Sequence, residues 1–255
     1  MDLGLAGKAA VVTGASKGIG LAVVRSLVAE GAEVTAGARH FDGLPTGVRE
    51  FPVDLSTADG PAALIEDAAA AYGRLDLLIN NVGAAHPRPA GFLSITDADW
   101  LSTLTLDLLA TVRASRAALP HLLASRGTIV TVVSVNAVLP DPLVMDYSAA
   151  KAALASFCKS LSKEVGPQGV RVVTVSPGPV STDLWLGKDG VANTVGGAVG
   201  LAPEEIQKKA AGDSVTGRFT SPEEVAALVV MAASDRIGNV TGADIIIDGG
   251  LVSTL

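Results

Sequence analysis

Residues 9–20 read Ala-Ala-Val-Val-Thr-Gly-Ala-Ser-Lys-Gly-Ile-Gly, and this stretch decides the fold. Its first five residues are small, apolar or β-branched and predict a buried strand over Ala9–Thr13. A glycine-rich turn follows and opens a helical pattern over Ile19–Glu30, which ends at Gly31 as a C-terminal cap. A strand, a glycine turn and a helix in this order predict the first βαβ unit of a parallel sheet.

The rest of the chain continues the alternation of short apolar runs and longer helical patterns. Further strands are predicted at Glu33–Ala38, Val48–Val53, Leu75–Asn80, Thr128–Val133, Arg171–Ser176 and Ile245–Asp248. Thr96 with Asp99, and Ser221 with Glu224, have the spacing of capping boxes and mark two helix starts. No repeat or linker interrupts this pattern, which therefore predicts a single α/β domain over residues 1–255.

One segment, residues 184–217, does not follow the alternation. It is rich in glycine and has little strand character. A long segment of this kind in a compact domain is typical of a lid or a disordered loop. We therefore expect a mobile loop over the substrate, and the alternative is an ordinary connection.

Composition and charge narrow the classes of function. The chain is 49% hydrophobic and 18% charged, which suits a parallel sheet covered by helices on both faces. Its net charge of −7 argues against nucleic acid or an anionic membrane as a partner. The single cysteine, Cys158, excludes an internal disulfide, and neither it nor the three scattered histidines have metal-ligand spacing. Since no signal-like or membrane-spanning segment is found, the sequence predicts a soluble, cytoplasmic, metal-free protein.

The glycine turn also predicts a ligand. Glycine lets the backbone turn tightly and approach a pyrophosphate, whose charge is stabilised by the amino end of the next helix. The alternative is that these glycines serve packing alone, but their place directly after the first strand favours a dinucleotide. The candidate binding residues in the turn are Gly14, Ser16, Lys17, Gly18, Ile19 and Gly20.

The end of the second predicted strand bears on the choice of dinucleotide. An acidic residue there would bind the ribose 2′-hydroxyl of NAD, whereas this chain has Arg39. Arg39 and Lys17 are cations that suit a 2′-phosphate, which predicts NADP(H) in preference to NAD(H), unless Arg39 is only a solvated loop charge. Asp54 and Leu55 follow the third strand, where Asp54 can accept from an adenine amino group or cap the next helix.

Tyr147 and Lys151 lie four residues apart on a predicted helix and therefore share one face of it. A nearby ammonium favours the phenolate, so we expect the pKa of Tyr147 below its usual value of about 10. Tyr147 would then exchange a proton with a carbonyl or alcohol oxygen held by the hydroxyl of Ser134. The same spacing occurs in surface pairs, so the motif gains its meaning from the dinucleotide turn.

Taken together, the turn at residues 13–20, Asn80-Asn81-Val82-Gly83, Ser134 and Tyr147-Ser148-Ala149-Ala150-Lys151 resemble the motifs of the short-chain dehydrogenase/reductases of similar length. The resemblance extends to residues 176–182 and 241–250. It implies a Rossmann-like, doubly wound sheet with strand order 3-2-1-4-5-6-7. It also implies hydride transfer between a nicotinamide and a carbonyl or alcohol. The 3-oxoacyl-(acyl-carrier-protein) reductases share these general features, which do not identify the substrate.

The resemblance assigns roles to individual residues. Tyr147 becomes the acid/base, Ser134 positions the substrate oxygen, and Lys151 lowers the pKa of Tyr147 and binds the nicotinamide ribose. Cofactor contacts are carried over to Asn81, Val82, Gly83, Tyr147, Lys151, Pro177, Gly178, Val180 and Thr182.

Asp107 departs from the family pattern, which has Asn as a fourth catalytic residue at this place. Asp keeps the backbone carbonyl that holds a relay water in the family, but its side chain donates no hydrogen bond unless it is protonated. We expect Asp107 to be tolerated. The alternatives are an altered pH dependence, or a weakly active or non-catalytic dinucleotide-binding regulator with the same fold.

The substrate is expected between three segments, residues 84–89, 135–145 and 184–186. Their mostly apolar side chains predict an apolar ketone or secondary alcohol, while His86 and Arg88 either contact an acidic group or are simply exposed. The family also implies a homo-oligomer, a tetramer or a dimer. Candidate pocket residues are His86, Asn136, Leu143, Val144, Leu184 and Trp185.

Overall fold

Seven parallel strands form one sheet in the order β3-β2-β1-β4-β5-β6-β7 in the computed structural model, which describes residues 2–253. This order confirms the predicted topology, and every predicted strand overlaps an observed one. The largest difference is at β4, which begins at Leu77 rather than Leu75. The strands are β1 (Ala9–Thr13), β2 (Glu33–Ala38), β3 (Arg49–Pro52), β4 (Leu77–Asn80), β5 (Thr128–Val132), β6 (Arg171–Pro177) and β7 (Asp244–Ile247).

Helices cover both faces of the sheet, as expected for strands that are apolar on both sides. Helices α1 and α9 pack on one face through side chains such as Leu27 and Val229, whereas α2, α4 and α5 pack on the other through Leu64, Leu122 and Leu154. Burying each such side chain contributes about 1.5–3 kcal/mol. The helices are α1 (Gly18–Ala29), α2 (Gly60–Tyr72), α3 (Asp97–Leu104), α4 (Ala110–Ser125), α5 (Met145–Val165), α6 (Asp183–Leu186), α7 (Val191–Val199), α8 (Pro203–Gly212) and α9 (Pro222–Ala233).

Both predicted capping boxes are present. At the start of α3, the Asp99 N–H donates to Thr96 Oγ1 at 3.2 Å and the Thr96 N–H donates to Asp99 Oδ2 at 2.9 Å. At the start of α9, Ser221 and Glu224 exchange the same two bonds at 3.2 and 2.8 Å. These contacts satisfy N–H groups that a helix cannot pair internally.

The segment predicted as an irregular loop is largely helical, because it contains α6, α7 and α8. Glycine costs a helix only about 1 kcal/mol, and packing can override that cost. Gly196 inside α7 shows such packing, since a Cβ there would lie 2.7 Å from the Leu201 carbonyl oxygen. The Trp185 ring also meets the Phe219 ring edge-on, with centroids 5.2 Å apart, which attaches α6 to the chain before α9. The expected mobility of this segment stays a prediction.

The parallel strands bring their carboxyl ends to one edge of the sheet, where ligands of doubly wound folds bind. Thr13 ends β1, Asn80 ends β4, Ser134 follows β5 and Pro177 ends β6. Between residues 2 and 253 no helix is long and apolar enough to cross a bilayer.

Candidate active site

The loop after β4 holds the glycine turn between β1 and α1. Asn81 Nδ2 donates to the carbonyl oxygens of Thr13 and Gly14 at 3.1 and 3.0 Å. In return, Thr13 Oγ1 accepts the N–H groups of Asn81 and Val82 at 2.9 and 3.2 Å. The amide of Asn81, predicted to contact a cofactor, is thus committed to shaping the turn. The sequence signal for this role is weak, because the two partners lie 67 and 68 residues away.

The turn admits no side chain at its glycines. Gly14 has φ +65°, and a Cβ on it would lie 2.9 Å from the Val82 Cα. A Cβ on Gly20 would overlap the Gly14 carbonyl oxygen, and one on Gly18 would lie 3.2 Å from Thr182 Cγ2. The backbone of the turn therefore lies close to the chain at Val82 on one side and at Thr182 on the other, and only glycine fits at these positions.

The first turn of α1 begins at this place without a side-chain cap. Lys17 is the N-cap residue, and no side chain of residues 2–253 accepts from the N–H groups there. Backbone N–H groups at a helix start, together with the helix dipole, form a site that binds anions well. Ser16, Gly18 and Ile19 are all at least partly exposed here, so the predicted residues fit a pyrophosphate.

The two cations predicted to select a 2′-phosphate, Arg39 and Lys17, lie in different surroundings. Arg39 is exposed directly after β2. Hydrogen bonds from the Ser56 hydroxyl and N–H, at 2.7 and 2.9 Å, hold the pKa of Asp54 below its ordinary value, with a smaller contribution from Arg39. Asp54 therefore shapes the turn before α2, and Leu55 beside it is buried in the core.

Lys17 lies against the segment that follows β6. Its ammonium is 3.1 Å from Asp183 Oδ2, and both side chains are exposed. In the same segment Pro177 and Val180 are buried, whereas Gly178 and Thr182 are half-buried. A Cβ on Gly178 would lie 2.9 Å from the Asp248 Cα. Of the predicted contacts in this segment, Thr182 is the one that reaches the glycine turn.

Ser134, Tyr147 and Lys151 come together at the carboxyl edge of the sheet. The Lys151 ammonium lies 5.4 Å from the centre of the Tyr147 ring and is buried. It also donates to the Val132 carbonyl oxygen at 3.5 Å. Ser134 is buried, and its hydroxyl donates to Asn136 Oδ1 at 3.2 Å and accepts the Asn136 N–H at 3.1 Å. Asn136, predicted as a substrate contact, thus holds the hydroxyl of Ser134.

The expectation of a lowered pKa for Tyr147 is wrong. Burial raises the pKa of the phenol and outweighs the lowering effects of the Lys151 ammonium and the Ser134 hydroxyl. The Asp107 carboxylate raises it further. Sequence spacing identified the ammonium correctly, but it carries no information on how much water the phenol loses.

Asp107 lies in a π-helical turn, Thr105–Leu109, which joins α3 to α4. Such single turns recur at functional sites. Its Oδ1 lies 3.7 Å from Lys151 Nζ and accepts the Ala84 N–H at 3.1 Å, whereas Oδ2 is buried and has no hydrogen-bond partner in the part of the chain described. Burial raises the pKa of Asp107 to about 6, against the lowering effect of Lys151. Gly83 leaves room for this contact, since a Cβ there would lie 2.6 Å from Asp107 Oδ1.

Arg88 is neither exposed nor free for an acidic ligand, contrary to both sequence interpretations. Its guanidinium contacts Asp99 at 3.0 Å and Asp146 at 2.8 Å, and 19% of its side chain is exposed. Asp146, directly before Tyr147, is buried and was not singled out by the sequence. The contact spans 58 residues, so no local pattern could have indicated it.

The remaining pocket candidates differ in how far they face solvent. His86 and Leu184 are exposed, and Leu143 and Trp185 are half-buried. Val144 is buried, so it lies behind the surface of the candidate pocket rather than on it. Across residues 2–253, no three His, Cys, Asp or Glu side chains group as a metal site.

The chain is similar to known oxidoreductases over nearly its whole length. Residues 14–252 match the family model described as enoyl-(acyl carrier protein) reductase. The 3-oxoacyl-(acyl-carrier-protein) reductase of Thermotoga maritima is 31% identical, with 97% of this chain and 99% of the relative covered. The D-threitol dehydrogenase of Mycolicibacterium smegmatis is 35% identical, with 98% of this chain and 94% of the relative covered. The crystal structure of L-sorbose reductase from Gluconobacter frateurii, complexed with NADPH and L-sorbose, has a TM-score of 0.91 at 32% identity over all of both chains.

Proposed function

Because the chain belongs to the short-chain dehydrogenase/reductase family of oxidoreductases, we propose that it interconverts a ketone and a secondary alcohol with NADP(H), and that Tyr147 is the acid/base. The observation that carries this proposal is the buried Lys151 ammonium, 5.4 Å from the Tyr147 ring, with the Ser134 hydroxyl beside the phenol. A phenol, an ammonium and a hydroxyl grouped in this way can hold and protonate one oxygen atom.

The glycine turn supports a dinucleotide as the cofactor. The uncapped N–H groups at the start of α1 suit a pyrophosphate, and the glycines allow it to approach closely. Lys17 and Arg39 are the cations that would pair with a 2′-phosphate, and the L-sorbose reductase relative was crystallised with NADPH. With a dinucleotide bound at this turn, its nicotinamide would supply the hydride to the substrate carbon or accept it from there.

The side chains of the site have distinct tasks in this proposal. Ser134 exchanges its hydrogen bond with Asn136 for one to the substrate oxygen. Tyr147 then donates its proton to that oxygen during ketone reduction, and the Lys151 ammonium stabilises the phenolate that remains. Since the pKa of Tyr147 is raised, the phenol is protonated at neutral pH, which is the form that reduction needs. Alcohol oxidation requires the phenolate and is expected to become faster as the pH rises.

The substrate side is mostly apolar. Leu143, Leu184 and Trp185 are at least partly exposed around the site, which supports a small, largely apolar ketone or alcohol. The names of two relatives, D-threitol dehydrogenase and L-sorbose reductase, extend the choice to hydroxylated substrates. A substrate panel should therefore contain apolar cyclic ketones, β-keto thioesters and ketoses.

The proposal is tested by NADPH oxidation against this panel, followed at the absorbance of the reduced nicotinamide. Tyr147→Phe is expected to lower kcat by about 10²–10⁴-fold, as removal of a general acid does, with NADPH binding retained. Tyr72→Phe is the matched control, because Tyr72 ends α2 on another part of the molecule and is expected to leave kcat unchanged.

Two other results would change the conclusion. Tight NADPH binding with no turnover on any ketone would favour the dinucleotide-binding regulator, whose one sequence argument is Asp107. A preference for NADH, unaltered by Arg39→Ala, would contradict the proposed cofactor choice.

A further inference from the structure

Arg88 connects three segments that are far apart in the sequence. Its own loop follows β4, and its backbone N–H donates to the Leu143 carbonyl oxygen at 2.7 Å. Its two terminal nitrogens reach Asp99 in α3 at 3.0 Å and Asp146 in α5 at 2.8 Å. A planar guanidinium can serve two carboxylates at once, which a lysine ammonium on a flexible stem does less well.

Asp146 is the better buried of the two carboxylates, with 1% of its side chain exposed. Its Oδ2 accepts from Arg88 and also from Thr103 Oγ1 at 2.9 Å, while its Oδ1 accepts the Tyr147 N–H at 3.1 Å. Burial raises the pKa of Asp146, but the hydrogen bonds from Arg88 and Thr103 outweigh it and leave the pKa below its ordinary value. The carboxylate is therefore charged, and it needs the guanidinium beside it.

The same contacts exclude Arg88 as a receptor for an acidic substrate. Both of its terminal nitrogens are occupied by carboxylates, and its Nε is buried without a partner among the described residues. A substrate anion would have to displace one carboxylate and leave it uncompensated.

We propose that Arg88 and Asp146 are positioning residues for Tyr147. The pair anchors the first turn of α5 to α3 and to the loop after β4, and it thereby fixes where the phenol lies relative to Lys151 and Ser134. This inference rests on the proposed function, because it assigns the pair a role in the reaction of Tyr147. A displacement of a reacting group by about 1 Å can cost as much as 10²-fold in rate.

The chain offers a matched control for this pair. Arg74 also binds a buried aspartate, since its guanidinium lies 2.6 Å from Asp76 Oδ1 and 1% of the Asp76 side chain is exposed. That pair lies directly before β4, at the opposite edge of the sheet from Tyr147. Arg74→Met thus removes an ion pair to an equally buried aspartate without touching the site, although the Arg74 side chain itself is 54% exposed.

The test compares Arg88→Met, Arg88→Lys and Arg74→Met in a Tyr72→Phe background. Tyr72 and Tyr147 are the two tyrosines of the chain, so phenolate absorbance in this background reports the titration of Tyr147 alone. Arg88→Met is expected to lower kcat by about 10-fold or more, to leave the KM for NADPH within about twofold, and to move the titration midpoint of Tyr147 by about half a pH unit or more. Arg88→Lys keeps a charge beside Asp146, so its kcat and its Tyr147 midpoint should lie between those of Arg88→Met and wild type. Arg74→Met should change neither kcat nor the midpoint.

Three results would overturn the inference. One is an unchanged kcat and midpoint in Arg88→Met with a raised KM for carboxylated ketones, which would make Arg88 a substrate receptor. Another is an equal loss of kcat in Arg74→Met, which would make the effect one of general stability. The third applies if Arg88→Met does not fold: in that case, a titration midpoint of Tyr147 in Arg88→Lys equal to that of the wild type would overturn the inference. Should the wild type reduce no ketone, the proposed function fails, but the titration of Tyr147 still decides whether the pair positions it.

Discussion

Two buried aspartates near Tyr147, Asp146 in α5 and Asp107 in the turn before α4, differ sharply although each has 1% of its side chain exposed. Asp146 accepts three hydrogen bonds, from Arg88, Thr103 and the Tyr147 N–H, and its pKa lies below the ordinary value. Within residues 2–253, Asp107 accepts one hydrogen bond, from the Ala84 N–H, and its charge partner Lys151 is 3.7 Å away. The pKa of Asp107 is raised to about 6.

The difference teaches that hydrogen bonds, rather than burial alone, decide whether an interior carboxylate stays charged. Desolvation disfavours both anions, but only Asp146 receives enough donors to compensate. Asp146 therefore serves as a fixed charge, whereas Asp107 can change its protonation state near neutral pH. The Lys151 ammonium lies 3.7 Å from Asp107 Oδ1 and 5.4 Å from the centre of the Tyr147 ring, and the Asp107 carboxylate raises the pKa of this candidate acid/base.

The largest effect is expected from removing the fully bonded aspartate. Asp146→Ala leaves the Arg88 guanidinium partly buried without its main partner, and should lower the free energy of unfolding by about 3 kcal/mol. Urea denaturation at neutral pH measures this. Asp97→Ala is the control, because Asp97 is exposed and should cost no more than about 0.5 kcal/mol. Equal losses in the two variants would mean that the bonds to Asp146 contribute little.

Removal of the ammonium should mainly affect Asp107 and Tyr147. In Lys151→Met the pKa of Asp107 is expected to rise beyond about 6, because the nearby positive charge that lowers it is lost. The value of kcat is expected to fall by about 10²-fold, since the phenolate of Tyr147 loses its stabilising charge. The value of kcat and its pH dependence are measured in Lys151→Met and wild type. The pKa of Asp107 is measured from the infrared carboxyl band of Lys151→Met, which Asp107→Asn in the same background assigns to this residue. A carboxyl that titrates as in the wild type would contradict the coupling.

A smaller effect, on stability, is expected from a methyl group placed next to Asp107 and Lys151. The Cβ in Gly83→Ala would lie 2.6 Å from Asp107 Oδ1 and 3.2 Å from Lys151 Nζ, so at least the Asp107 carboxylate must shift. The variant should lose about 1–3 kcal/mol of stability. Gly197→Ala in α7 is the matched control, because a Cβ there has open space and a helix gains from alanine. A stable Gly83→Ala would show that the pair shifts without cost.

The sequence predicted the parts of this molecule that depend on local patterns. The strands, the capping boxes at Thr96 and Ser221, and the turn at residues 13–20 follow from periodicity and from residues with special backbone or hydrogen-bonding properties. The helices α6 to α8 were not predicted, because packing there outweighs the low helix propensity of glycine.

Contacts over long sequence distances escaped prediction for a different reason. The bonds from Asn81 to the turn and from Arg88 to Asp146 join segments 58 to 68 residues apart, and neither follows from any spacing. The sign of the pKa shift of Tyr147 was also wrong, because it depends on how many atoms surround the phenol. Sequence thus indicates which groups meet along one helix, while the fold determines their solvation.

The smallest effect on activity is expected from Asp107→Asn. Asn keeps an oxygen that can accept the Ala84 N–H, and it has nearly the same size, so kcat should stay within about tenfold of wild type. Its effect on stability should depend on pH. The pKa of Asp107 is raised from 3.8 to about 6 on folding, so between these values the folded state binds more protons than the unfolded state. The contribution of Asp107 to stability therefore falls as the pH rises through this window, by on the order of 3 kcal/mol.

Asp107→Asn should remove this decline, whereas Asp146→Asn should not. The pKa of Asp146 is lowered on folding, so its contribution is present above the unfolded value and is lost as the pH falls below it. Urea denaturation at several pH values between about 4 and 7, for wild type and both variants, separates the two signs. If the wild type and Asp107→Asn had parallel profiles over this range, Asp107 would be ionised throughout, and the two buried aspartates would not differ in the way that their hydrogen bonds indicate.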